Sequence, residues 1–134
     1  RAFLPVEAAL AEASPAPLGD WSQRARAPLL IADLADLGVT APAGERVAFA
    51  TPSAMLGGFY VLEGSRLGGA MLLRSVAPGL PIRFLAPSSV KGHWQKFLSA
   101  LEQELASDVQ RAQAVAGAQI VFDRFLRAAL APTG

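Results

Sequence analysis

Cysteine is absent from this chain of 134 residues, which excludes a disulfide framework and a thiolate centre. Histidine occurs once, as His93, so a Ser-His or Cys-His nucleophilic site would have to use that one imidazole, and nothing in the sequence supports such a site. Charge is sparse and balanced, with 12 basic against 11 acidic residues, a net charge of +1 and no basic block. That excludes the electrostatic footprint of a nucleic-acid partner or of an anionic membrane surface. No apolar run is long enough to span a bilayer, although 52% of the residues are hydrophobic, because much of that share is alanine scattered between charges. Glu102, Gln103 and Glu104 lack the Glu-x-x-His pairing of a di-iron bundle, and no metal site is predicted from this chain. What is left is a helix-rich soluble chain, poor in side-chain chemistry, whose reaction would be carried by a bound group. A cytoplasmic location fits it.

Glycine, by contrast, is concentrated in one place. The stretch Gly57 to Leu73 reads GGFYVLEGSRLGGAMLL; Leu56, Phe59, Tyr60, Leu62, Leu67, Met71 and Leu72 are spaced as an amphipathic helix requires, with five glycines among them. Each glycine costs roughly 1 kcal/mol relative to alanine inside a helix, so packing or a ligand has to offset several kcal/mol. Gly57, Gly64 and Gly68 fall along one helix face. That bare stripe has two uses: close approach of a second helix, or close approach of a planar ligand. The doubled Gly68-Gly69 favours the ligand, because helix packing needs one small residue per turn.

The other elements can be placed around it, within a single domain of residues 1–134. Phe3, Val6 and Leu10 share a face of a first helix, leaving Glu7 and Glu12 to water, and Ser14-Pro15-Ala16-Pro17 ends it. This helix starts without a capping residue, as if in mid-element, and further helices are expected before it. Asp20 can cap a short turn carrying Trp21. Pro28 opens a helix running to Leu37 with Gly38 as its stop, Leu30, Leu34 and Leu37 inward and Asp33 and Asp36 solvated. Gly38 to Ala50 reads as loop; Thr51-Pro52 is an N-cap and first-turn signature for the glycine-rich helix, which lasts to about Val76 before Pro78-Gly79-Leu80-Pro81. Ser88 or Ser89 begins a helix with Trp94, Phe97, Leu98, Leu101 and Leu105 as its stripe. Ser107 or Asp108 caps the last, which carries Val109, Ala112, Val115, Ile120, Phe122, Phe125 and Leu126.

The string Tyr60-Val61-Leu62-Glu63-Gly64-Ser65-Arg66-Leu67-Gly68-Gly69 resembles the distal-helix motif of bacterial heme oxygenases, in particular the biliverdin-producing type associated with bacterial phytochromes. Residues 1–7, 26–34 and 94–102 are similar to that group as well. The resemblance implies an all-α, heme-oxygenase-like multi-helix bundle whose glycine-rich, kinked distal helix lies over the heme face opposite the protein ligand. It implies oxygen-dependent cleavage of heme, at once substrate and cofactor, to biliverdin, carbon monoxide and iron. Electrons would come from a ferredoxin or reductase, and a bacterial phytochrome would accept the biliverdin. By the same resemblance Gly64, Ser65 and Gly68 take part in catalysis, Ser65 standing where many of these enzymes have aspartate. Tyr60, Gly64, Gly68, Gly69, Arg124 and Phe125 would contact heme, the arginine through a propionate. The family's proximal histidine would lie upstream of Arg1, and His93 is expected on the surface, away from the glycine face. The alternative is a non-enzymatic helical interaction module on the same fold, its glycines serving helix packing and its heme site lost.

Overall fold

The computed structural model describes residues 1–12, 25–41, 44–86 and 92–131. They form five α-helices: α1 Phe3–Ala11, α2 Ala27–Asp36, α3 Pro52–Leu73, α4 His93–Glu104 and α5 Asp108–Leu130. No strand occurs among the described residues. None of the described helices is long and apolar enough to cross a membrane.

Local signals set most of the boundaries. Thr51 is extended and its hydroxyl accepts from Ala54 N–H at 3.1 Å, with Pro52 occupying a position whose missing N–H costs nothing. Ser107 and Gln110 form a reciprocal capping box at the start of α5. α2 ends at Gly38, whose φ of +71° is the left-handed conformation that glycine adopts without a Cβ clash. α3 stops three residues before the expected Val76. α4 begins at His93, immediately after a left-handed Gly92, and not at the serines; those serines lie outside the described residues, as do the Ser14 to Pro17 break, the Asp20 cap, Trp21 and Pro42.

The centre of the molecule is the crossing of α3 and α5. Gly117 sits on the Ala54 backbone, where an added Cβ would come within 2.8 Å of Ala54 Cα, and Gly57 sits on Ala114, within 2.8 Å of Ala118 N. Both positions would clash with main chain, which cannot move aside as a side chain can. Because Ala54 pairs with Gly117 and Gly57 with Ala114, the two helices pass in opposite directions. The face α5 turns inward is therefore made of Ala114, Gly117 and Val121. Its bulky residues Val109, Val115, Phe122 and Leu126 are exposed, and Phe125 is half-buried against the core. Around the crossing, Phe3, Val6 and Leu10 of α1, Phe59, Val61 and Leu62 of α3, Phe97 of α4 and Val121 of α5 form one apolar cluster.

Two carboxylates expected in water are buried instead. Glu7 accepts from Arg26 N–H at 2.9 Å and from Ala27 N–H at 2.7 Å, satisfying the first amides of α2, which has no cap of its own. Asp33 accepts from Phe84 N–H at 2.8 Å and from the main chain and guanidinium of Arg83 at 3.2 Å, fastening the connection after α3 to α2. Arg83 also reaches Asp36, and this hydrogen bond first, with the pair's attraction, raises its already high pKa. Periodicity marks both acids as off the apolar stripe but carries no information on main-chain donors brought from elsewhere. Leu37, expected inward, is exposed past the end of the helix.

Candidate functional site

α3 is one unbroken helix from Pro52 to Leu73, and its bare stripe divides into two parts. At the N-terminal part Gly57 is filled by α5, while Gly58 lies under Phe49, 2.9 Å from where a Cβ would stand. At the C-terminal part no atom of the described residues lies within 4 Å of the Cβ positions of Gly64 and Gly68. Gly69 turns the other way, toward Leu85 of the following connection, with the Leu85 oxygen at 3.6 Å. The two uses of the stripe are thus both present, one at each end.

Beside the open face runs an apolar groove of about 400 Å³ lined by Leu56, Gly57, Tyr60, Leu101, Val115 and Phe122, among others. Tyr60 is 44% exposed, meets Trp94 with ring centres 5.9 Å apart and planes tilted by 40°, and precedes Gly64 by one turn, so groove and glycine face adjoin along one edge of α3. A flat apolar ring fits such a surface: bare backbone permits van der Waals approach, and the groove supplies apolar area beside it.

Beneath this part of α3 lies Arg26, a residue that the sequence reading passed over. Arg26 is buried; its Nη2 donates to Leu62 O at 2.6 Å and to Ser65 Oγ at 2.7 Å, and Ser65 Oγ itself donates to Leu62 O at 2.6 Å. Its guanidinium lies 5.0 Å from the ring centres of both Phe3 and Phe84, which meet edge to face. Desolvation, assisted by the charge of Arg66, pushes the guanidinium down to about 10, against the pull of Glu63 and Glu7. Arg66 pairs with buried Glu63 at 3.1 Å on the same helix. The signal for Arg26 was the X-Ala-Pro helix start, but its value lies in a contact 39 positions away, to which local pattern is blind.

The residues expected to act together separate into two groups. Tyr60, Gly64, Ser65 and Gly68 share one stretch of α3. Arg124, however, is bound to Glu45, with the carboxylate at 3.0 Å and the main-chain oxygens of Glu45 and Arg46 beyond it. It lies about two turns past Gly117, while Gly64 lies about three turns from Ala54 in the opposite direction, a separation of roughly 25 Å along the axes. Arg124 therefore clamps the loop before α3, and Phe125 packs on the core. His93 is half-buried at the first position of α4 and not on the open surface, its Nδ1 shielded from solvent. No atom of it comes within 4 Å of the Gly64 or Gly68 Cβ positions. No group of three metal-binding side chains occurs among the described residues.

Comparison with known proteins bears on the same helices. The sequence profile of the family described as heme oxygenase matches residues 20–130. A protein named heme oxygenase from Xanthomonas campestris pv. campestris (strain 8004) is 40% identical over 112 residues, covering 78% of this chain and 67% of that one. No solved structure matches the chain.

Proposed function

This chain belongs to the heme oxygenase family, and from that membership we propose that heme lies against the Gly64 and Gly68 face of α3, with Tyr60 and the adjoining groove at its edge. The chain is a heme oxygenase, cleaving heme with oxygen to biliverdin, carbon monoxide and iron. Heme is the substrate and, when bound, supplies the iron at which oxygen is activated. The protein's own residues hold and screen the ring. Gly64 and Gly68 admit it to backbone distance; Tyr60 and Phe122 offer apolar and aromatic surface beside it. Ser65 adds a hydroxyl between the two glycines, beside Arg66. Leu85 packs on the helix at Gly69, where an added Cβ would make only ordinary contact with it. Electron supply from a ferredoxin or reductase and delivery of biliverdin to a bacterial phytochrome are supported by the distal-helix motif alone.

The observation that carries this reading is the open stretch itself: a continuous helix has glycine at 64 and 68 although no atom of the described residues requires it there. Helix packing accounts for Gly57 and Gly117 but not for these two. The test is Gly68→Ala. A methyl group there meets open space, so ligand-free protein should melt at the same temperature or higher, by up to about 1 kcal/mol of helix propensity. Heme turnover, followed by absorbance with reductant, should fall because the methyl stands where the ring approaches. A destabilised ligand-free protein with unaltered turnover would reject the placement.

A further inference from the structure

We propose that Arg26 is a positioning residue for this reaction: it fixes the hydroxyl of Ser65, next to Gly64 in the chain, so that Ser65 keeps an acceptor, and not a donor, for what binds at that end of α3. The inference rests on heme lying at Gly64 and Gly68. A serine hydroxyl has one hydrogen and two lone pairs. In Ser65 the hydrogen is directed to Leu62 O at 2.6 Å and one lone pair receives Arg26 Nη2 at 2.7 Å, which leaves a single lone pair for anything outside. A serine free to rotate would offer either its hydrogen or its lone pairs. Here the guanidinium closes a three-membered ring of contacts through Leu62 O, 2.6 Å from the same Nη2, and only one orientation satisfies all three.

The arginine is itself immobilised from every side. Its main-chain N–H is held by both oxygens of Glu7, the guanidinium packs against both Phe3 and Phe84, and the Phe84 main chain is held in turn by Asp33. Burying a cation this fully is unfavourable unless its hydrogens and charge are compensated, and buried Glu7 and Glu63 provide the compensating charge. A purely structural tie to Leu62 O would not require a second bond to a hydroxyl on the next turn. Both come from one Nη2 held in the guanidinium plane, whereas the ammonium of lysine rotates freely on a shorter reach.

The experiment compares Arg26→Lys, Ser65→Ala and the double variant at pH 7, where both arginine and lysine carry charge. Expected are a fall in kcat of about tenfold or more for each single variant, the scale of outer-contact losses, a KM for heme within about twofold of the parent, and a double variant no slower than the singles. In ligand-free protein, the slowly exchanging Ser65 hydroxyl proton should be seen by NMR and be lost in Arg26→Lys. Losses that multiply in the double variant, or a lowered melting temperature with kcat intact, would overturn the proposal. If Arg26→Lys does not fold, Ser65→Ala decides alone, since unchanged turnover there is incompatible with it. Gly68→Ala run in parallel keeps the two readings apart: no effect of it on turnover removes the heme placement, whereas an effect there with none at Ser65 removes only the role of Arg26.

Discussion

A methyl group added at Gly57 and one added at Gly68 meet opposite surroundings on one helix. At Gly57 it runs into the Ala114 carbonyl, so Gly57→Ala should destabilise ligand-free protein by about 1–3 kcal/mol or more, measurable as a lower denaturant midpoint with unchanged slope, in contrast to Gly68→Ala. Arg26 gives a residue-scale prediction in pH. Lysine at that site starts from a lower pKa than arginine and meets the same desolvation, so its folded-state pKa is pushed below that of the unfolded chain. A folded pKa below the unfolded one means that the unfolded chain holds more protons in between, so the stability of Arg26→Lys should rise with pH up to the unfolded lysine value of about 10.4. The parent's guanidinium, lowered only to about 10, stays charged below that value and should give a flatter slope there. Thermal melts of the two proteins across that range check the difference in slope.

At the scale of elements, two buried carboxylates act as fasteners between helices. Glu7 of α1 supplies the N-terminal acceptor that α2 lacks, and Asp33 of α2 holds the main chain at Arg83 and Phe84. Removing either leaves buried amides without acceptors, which typically costs about 1–3 kcal/mol. Glu7→Ala should accordingly speed hydrogen exchange in the first turn of α2, and Asp33→Ala should do so at Arg83 and Phe84. Asp33→Ala should also release Phe84 from the Arg26 guanidinium and lower turnover through the same Ser65 contact. Exchange unaltered at these amides would show that other groups satisfy them.

For the whole molecule, α3 and α5 form a rigid spine because glycine and alanine let their backbones meet, and that choice turns larger side chains outward. Phe122, Leu126 and Leu130 of α5 and Met71 and Leu72 of α3 are all more than half exposed. Ligand-free protein should therefore bind a hydrophobic dye such as ANS, and heme should compete for the part of that surface in the Tyr60 and Phe122 groove. Heme should also raise the melting temperature with concentration, as any ligand selective for the folded state does. Dye fluorescence unaffected by saturating heme would place heme elsewhere.

The sequence by itself determined the helical class, the Thr51 and Ser107 caps, the Gly38 stop and the inward face of α1, because each depends on residues within a turn or two of one another. Through its motif it also determined to which family the chain belongs. Tertiary structure alone decided which glycines are filled and which are open, since equal spacing along a stripe does not reveal where a second helix leaves it. It likewise decided that Glu7 and Asp33 are buried, that Arg124 belongs to the Glu45 loop, and that Arg26 reaches Ser65. Each of these is a contact between segments distant in sequence. A local pattern records which residues share a face, while what that face meets depends on how the remaining helices pack.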